Sequence, residues 1–295
     1  MKSGFVAILG RPNVGKSTLL NSIINKKVSI VTDKSQTTRN TILGIYNSPE
    51  AQIIFTDTPG IHKPRQKLDQ EMSNMAYSAA HDADASILVV DASLPFGEGD
   101  QFIIDHVDIH NNPLIIVFNK IDNAYLPKVL KLKEIYKEKF PFAIMIDTVA
   151  KEGFNVDFLL KELIALLPEG PAFYPDDIYT DKDEVFQIKE IIREKTLKIL
   201  KDEVPHSIAI YMDNIEWESN PMHIHATIIV EKDGQKGIVI GANGKRIKLI
   251  GEKARTDIER LLKKHVYLEL FVRVEKDWRN NDDLLKTYGY KQEKN

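Results

Sequence analysis

The sequence predicts a doubly wound, mostly parallel α/β domain followed by a smaller α+β domain, on three observations. Short apolar runs alternate with helix-length segments through the first 170 residues. A stretch with three prolines, a glycine and acidic residues interrupts this pattern at 167–177. Beyond it, helical spacing alternates with the apolar/polar alternation of half-buried strands. At 295 residues the chain is long for one domain and sufficient for two, each with its own core.

The runs at 5–9, 53–55, 86–90, 114–118 and 142–146 are apolar on both faces and separated by helix-length segments, as buried parallel strands are. Right-handed crossovers between them make the doubly wound sheet, with ligands expected at the carboxyl ends of the strands. In the second domain Val185, Ile188, Ile192 and Ile199 mark a helix over 184–202. Residues 207–211 and 222–231 alternate as strands, Asp233-Gly234 reads as a turn, and 236–240 as a short apolar helix. Ile247, Ile250, Ala254, Ile258 and Leu261 mark a helix over 245–265, before a last strand at 266–274. The expected division is 1–170, a linker at 171–182, a second domain at 183–280 and a tail at 281–295.

The net charge of -3 averages over two unlike halves. Residues 184–295 carry 21 Lys and Arg against 19 Asp and Glu, which leaves the first 183 residues at -5. The absence of cysteine removes disulfides, thiolate metal sites and cysteine nucleophiles and suits a reducing cytoplasm. No secretory signal is visible, and the longest apolar runs fall far short of the roughly 20 residues that cross a bilayer. A soluble cytoplasmic protein is expected, at most peripheral to a membrane.

Three segments lie where apolar runs stop. Gly10-Arg-Pro-Asn-Val-Gly-Lys-Ser17 fits Gly-x4-Gly-Lys-Ser between a strand and a helix, the phosphate-loop context. Backbone N–H groups of such a turn point at phosphate oxygens, aided by the helix dipole, and bulk at Gly10 or Gly15 would obstruct them. Lys16 supplies a charge to the β and γ phosphates and Ser17 a hydroxyl to Mg²⁺. Asn13, Val14 and Thr18 belong to the same turn. The second segment, Asp57-Thr58-Pro59-Gly60, puts a carboxylate at a strand tip where it can hold Mg²⁺, and the Gly60 N–H can meet the γ phosphate. The third, Asn119-Lys120-Ile121-Asp122, offers the Asp122 carboxylate to guanine N1–H and N2–H₂, a donor pair that adenine lacks. Lys120 would lie across the base, and Asn119 would tie this loop to the phosphate loop. The ligand is therefore GTP, with GDP as its product, together with Mg²⁺.

The order and spacing of these segments resemble translation-factor-class GTPases of the Era type, as does Gln36-Thr-Thr-Arg-Asn40, which is similar to that family's first switch. The resemblance implies that Thr38, or else Thr37, closes over Mg²⁺ when GTP is bound, so that Lys16, Thr38 and Gly60 bear on hydrolysis and Ser17, Thr38 and Asp57 on the metal. Many GTPases place a water-orienting glutamine after the Asp-x-x-Gly glycine, where this chain has Ile61. The Era type is similar in carrying an apolar residue there, which implies slow intrinsic turnover. Asn13 resembles an asparagine that helps bind K⁺ beside the phosphates, making K⁺ a further candidate ion. The family's third base-contacting motif is usually Ser-Ala-x; here Val149-Ala150-Lys151 lacks the serine hydroxyl that braces the loop, but keeps the Ala150 N–H for guanine O6.

In the second domain, Gly241-Ala242-Asn243-Gly244 follows Ile240 and precedes Lys245, Arg246 and Lys248. The following helix, 245–265, holds 8 Lys and Arg against 3 Asp and Glu. This Gly-x-x-Gly loop with its flanking elements resembles a type II KH domain, in which the loop approaches the backbone of about four unstacked nucleotides and an adjoining apolar groove takes the bases. His223 and His225 alternate with apolar residues, as on the solvent face of a strand, and are not expected to bind metal. The segments Val274-Glu-Lys-Asp-Trp-Arg279 and Tyr288-Gly-Tyr290 also resemble the Era C-terminus.

The expected function is a GTP-driven RNA-binding switch that hydrolyses GTP to GDP and phosphate. The Era resemblance further implies the single-stranded 3′ region of 16S ribosomal RNA as partner, assembly of the 30S subunit as the role, a monomer, and weak peripheral membrane contact. Two other classes compete. A nucleotide-regulated binding protein with negligible turnover is favoured by Ile61, and an ATP-using kinase shares the phosphate loop but has no use for Asp122.

Overall fold

The computed structural model describes residues 1–107, 112–200 and 204–291. Two compact units account for them, one comprising Met1–Val31, Ser35–Arg65 and Asp69–Asp181, the other chiefly Lys182–Asn295.

In the first unit the chain runs β1 (Lys2–Leu9), α1 (Lys16–Ile24), β2 (Ile42–Asn47), β3 (Ala51–Asp57), α2 (Lys67–His81), β4 (Ala85–Asp91), α3 (Glu98–His106), β5 (Leu114–Asn119), α4 (Leu126–Lys139), β6 (Ile144–Thr148) and α5 (Val156–Leu166). The six-stranded sheet has the order β2-β3-β1-β4-β5-β6 and is parallel except for β2, which pairs antiparallel with β3. Its two faces bury separate cores. Leu19, Leu20 and Ile23 of α1 and Leu159 and Leu163 of α5 cover Val6, Ile53 and Phe55. Ala76 of α2, Ile103 of α3 and Leu132 and Tyr136 of α4 cover Leu9, Leu88 and Phe118. The strands are apolar throughout because both faces are covered.

Four expectations need adjustment, three in this unit and one in the next. The edge strand β2 was not among the expected runs, because Ile42–Asn47 mixes apolar with polar residues and glycine as a half-covered edge does. Phe142 lies outside β6 and is 98% exposed, so it belongs to the turn before the strand. The proline-rich stretch is no loose tether. Gln52 Nε2 donates to Tyr174 O and its Oε1 accepts from the Phe173 and Tyr174 N–H groups, while Ile45 N–H donates to Tyr179 O. The strap thereby satisfies the buried side-chain amide of Gln52 in β3 and a backbone donor on the free edge of β2, and the first unit extends to Asp181.

The second unit runs α6 (Glu184–Ile199), β7 (Ala209–Glu216), β8 (Met222–Val230), α7 (Asp233–Ile240), α8 (Lys245–Leu262), β9 (Val266–Val274) and α9 (Asp282–Thr287). Its sheet has the order β7-β8-β9, with β8 and β9 parallel. Asp233-Gly234 is the first turn of α7 rather than a free turn; an acidic residue there complements the helix dipole. The last four residues of the expected tail lie outside the described residues.

Candidate nucleotide and RNA sites

The phosphate loop turns between β1 and α1 on two left-handed glycines. Gly10 has φ +144°, and a Cβ there would sit 2.5 Å from Val89 O; Gly15 has φ +104°, and a Cβ would sit 2.2 Å from Asn119 Nδ2. Both positions exclude a side chain, for conformation and for space. Lys16 folds back over the loop, Nζ donating to Gly10 O at 3.0 Å and Arg11 O at 2.8 Å. Burial lowers its pKa to about 8, against the opposing pull of Asp57. Val14 packs into the core and contributes backbone to the site, and Thr18 lies in the first turn of α1.

Ser17, Thr38 and Asp57 converge. Ser17 Oγ donates to Asp57 Oδ2 at 2.7 Å and lies 2.8 Å from Thr38 Oγ1, and Ser29 Oγ donates to the same carboxylate oxygen at 2.8 Å. Asp57 is fully buried, and its other oxygen, Oδ1, has no partner. Burial pushes its carboxyl up, opposed first by Lys16 and then by the hydroxyls of Ser17, Ser29 and Thr38. Two hydroxyls beside a desolvated carboxylate with an unused oxygen are an apt donor set for Mg²⁺, a hard cation that takes oxygen ligands and keeps waters. Thr38, of the two threonines, is the one whose hydroxyl reaches Ser17. Thr58 takes another part: its buried hydroxyl donates to Ile8 O at 2.7 Å and ties the tip of β3 to β1. Pro59 leads into Gly60, where a Cβ would sit 2.7 Å from Pro12, so the loop after β3 lies directly on the phosphate loop.

Ile61 is fully buried in the core on that side of the sheet, and its N–H donates to Gly10 O at 3.1 Å. The loops around Thr38 and Gly60 meet at Asp69 of α2. Gln36 Nε2 donates to Asp69 Oδ1 at 2.7 Å, Arg65 N–H to Oδ2 at 2.9 Å, and His62 Nε2 lies 3.6 Å from Oδ1. The nearby Asp69 carboxylate is the largest cause raising the His62 pKa.

Asn119 is the hub of the base end. Its Nδ2 donates to Val14 O at 2.9 Å, and its Oδ1 accepts from Ala150 N–H at 2.9 Å and Thr148 Oγ1 at 3.2 Å. The Ala150 N–H expected to face guanine O6 is thus engaged by Asn119. Lys120 Nζ is held by Asn13 O at 2.7 Å and Asp91 Oδ2 at 2.6 Å, which stretches its stem across the mouth of the site, while Asp122 is exposed. Val149 packs inward, and its carbonyl accepts from Glu152 N–H at 2.9 Å and Phe154 N–H at 3.3 Å, so backbone bonds brace the loop that begins at Val149-Ala150-Lys151. Asp91 and Ser29 escaped the sequence reading. Asp91 ends β4 as Asp57 ends β3, a signal the same rule would have caught; Ser29 carries no pattern.

In the second unit, α7 ends at Ile240 and α8 begins at Lys245, with Gly241 at φ +72°, Asn243 at φ +51° and Gly244 at φ +72°. A Cβ on Gly241 would sit 2.7 Å from Arg246 Cβ, whereas one on Gly244 would meet nothing within 4 Å. Arg246 caps the end of α7 through Ile238 O, while Ala242, Asn243, Lys245 and Lys248 are exposed. Beside this loop a cleft of about 270 Å³ runs between α8 and β9, lined by Ile247, Lys248, Gly251, Arg255, Leu268 and Leu270 among others. The β9 wall was not singled out in the sequence, although its alternation marks one face for the helix side.

The profile of the 50S ribosome-binding GTPases matches residues 5–120 and that of the KH domain residues 203–279. GTPase Era of Halothermothrix orenii is 46% identical over 291 residues, 98% of this chain and 99% of that protein. The chain belongs to the Era family of GTPases. The structure of an Era in complex with MgGDPNP and nucleotides 1506–1542 of 16S ribosomal RNA is similar with a TM-score of 0.94 and 40% identity, covering 98% of this chain and 99% of that one. A single-substitution variant of Aquifex aeolicus Era bound to GDP and aluminium fluoride gives a TM-score of 0.93, also at 40% identity and with the same coverage.

As an Era-family member the protein is a GTPase that turns GTP into GDP with Mg²⁺ as cofactor. When bound, the ion would neutralise charge on the β and γ phosphates. Within this Era-family fold the protein's own share is arrangement: Lys16 poised over the loop, Asp57, Ser17 and Thr38 drawn together, and backbone N–H groups at the start of α1.

Proposed function

We propose that this GTPase is a switch that holds the single-stranded 3′ region of 16S ribosomal RNA on its KH domain and acts in assembly of the 30S subunit. The observation that carries the reading is the contact of Thr38 with Ser17 and Asp57, since a hydroxyl on a loop far along the chain completes the metal site only when that loop is closed. Gly60, lying on the phosphate loop, would report the γ phosphate through its N–H. Hydrolysis would release both loops and change the presentation of the Gly241–Gly244 turn and its cleft. The protein acts as a monomer in the cytoplasm, with membrane contact confined to the periphery; among the described residues no helix is long and apolar enough to cross a membrane.

Affinity for the 16S fragment 1506–1542 should be higher with a non-hydrolysable GTP analogue than with GDP. Equal affinities would sink the switch. A second reading, nucleotide-regulated binding with negligible turnover, is favoured by the burial of Ile61, which leaves no side chain at that position to orient water. Single-turnover phosphate release in matched Na⁺ and K⁺ buffers separates the two, and a faster rate in K⁺ would assign Asn13 its ion.

A further inference from the structure

The face of the second unit's sheet that lies away from the helices is half covered. Met222, Ile224, Ala226 and Ile228 of β8 are buried toward the helices, so His223, His225, Thr227 and Ile229 point the other way. At one end of that face the chain's own C-terminal segment lies over it: Tyr288 packs on Tyr211 at 6.3 Å and on Trp278 at 5.6 Å, and Ile229 is fully buried. At the other end a row of rings stays accessible. Tyr267 and Phe271, four positions apart on the same face of β9 with Glu269 between them, are each 50% exposed. The ring of His223, Tyr267's register partner on β8, lies 5.0 Å from that of Tyr267 and 6.4 Å from that of His225, whose Nδ1 is 3.0 Å from Glu269.

Two exposed aromatic rings with an ordered histidine pair on a rigid sheet are a stacking surface. Half-exposed large rings cost solubility and contribute little to the fold, while every nucleobase offers a π face to them. The location selects the ligand. β9 is an edge strand and forms one wall of the cleft beside the Gly-x-x-Gly loop, and Tyr267 lines that cleft as well as the ring cluster. An RNA strand that leaves the cleft over β9 meets Tyr267 first and Phe271 four residues further along the strand, about 13 Å away. We propose that Tyr267, Phe271 and His223 form a second base-stacking platform, which extends the single-stranded RNA path beyond the roughly four nucleotides that a KH groove holds. This rests on the RNA-binding reading of the KH domain.

The test uses the full-length protein and two segments of the 16S stretch 1506–1542, one about four nucleotides long and one about ten. Wild type should bind the longer segment more tightly. Phe271→Ala combined with His223→Ala, both outside the cleft lining, should weaken the longer segment by at least about tenfold and leave the short one unchanged, whereas Phe271→Tyr alone should keep the wild-type value. Photocrosslinking of the longer segment carrying 4-thiouridine should label the 267–271 stretch. Unchanged affinity of the alanine variant for the longer segment, or labelling confined to the Gly-x-x-Gly loop and α8, would overturn the platform. A protein partner recovered on these rings with RNA affinity unaltered would overturn it equally. If instead the short segment fails to bind wild type, the KH reading itself is at fault.

Discussion

The two units place their functional groups in opposite environments. In the nucleotide unit Lys16, Thr38, Asp57 and Asn119 are buried and bonded to one another or to the loops they organise. In the KH unit Ala242, Asn243, Lys245 and Lys248 stand in solvent, and the space in front of Gly244 is open. A desolvated carboxylate and ammonium interact strongly with a metal and a phosphate because little water competes, but only in one geometry. An RNA backbone is met instead by exposed charges and a turn whose accessibility matters more than its rigidity, so binding there is salt-dependent and tolerant of sequence. The first unit is built to discriminate a chemical state and the second to hold a polymer.

The largest expected effect follows from removing the buried cation. Lys16→Ala leaves Asp57 without its strongest opposing charge and the phosphates without theirs, so GTP and GDP affinity should fall by at least about a thousandfold in calorimetry. RNA affinity should stay at its basal level and no longer respond to nucleotide. Loss of basal RNA affinity in this variant would break the division of labour. Gly244→Asp is the reciprocal change. Aspartate tolerates the left-handed backbone at a cost of about 1 kcal/mol, and no neighbour lies within 4 Å of the new Cβ, so the fold survives. The carboxylate then faces the RNA backbone, and affinity for the 16S fragment should drop by about ten- to a hundredfold with GTP binding intact.

The same contrast explains what the sequence disclosed. Motifs that hold phosphate, metal and base sit at strand tips with fixed spacing, because backbone geometry leaves few alternatives, and Gly10–Ser17, Asp57–Gly60 and Asn119–Asp122 were legible for that reason. The KH turn was legible through two glycines that need positive φ. What stayed hidden is tertiary. Thr58 looks like a member of its motif but spends its hydroxyl on Ile8, and Ser29 meets Asp57 only because a patternless stretch happens to pass it. The 171–181 strap looked like a tether because proline-rich segments usually are, and only the free edge of β2 and the buried Gln52 amide show why it is fixed. The rings of β9 read as ordinary alternation until the covered and uncovered halves of the face could be compared.

A smaller effect, confined to the buried unit, is pH dependence. Lys16 titrates at about 8 instead of 10.5, so above pH 8 the nucleotide must bring a proton back onto it. Apparent GTP affinity should be flat below that point and fall by up to about tenfold per pH unit above it. Without nucleotide, stability runs the other way. The penalty for a buried ammonium is fully present below pH 8 and is relieved between about 8 and 10.5, where the unfolded chain binds the extra proton. RNA affinity at the exposed loop should show no step at pH 8. A step shared by both ligands would mean that Lys16 is not its origin.

The finest test concerns Ile61. From sequence alone its apolar side chain reads as a missing water-orienting group, which suggests that Ile61→Gln would accelerate hydrolysis. The fold argues otherwise: the side chain is directed into the core around Leu9 and Leu88, away from the phosphates, and its backbone is fixed to Gly10 O. A glutamine there would bury an amide without a partner at a cost of about 1–3 kcal/mol and would not reach the water. The expected outcome is a lower melting temperature with single-turnover phosphate release no faster than wild type. An increase of tenfold or more would show that the loop after Gly60 turns over during the reaction and brings position 61 to the nucleotide, making this part of the buried unit as mobile as the KH turn.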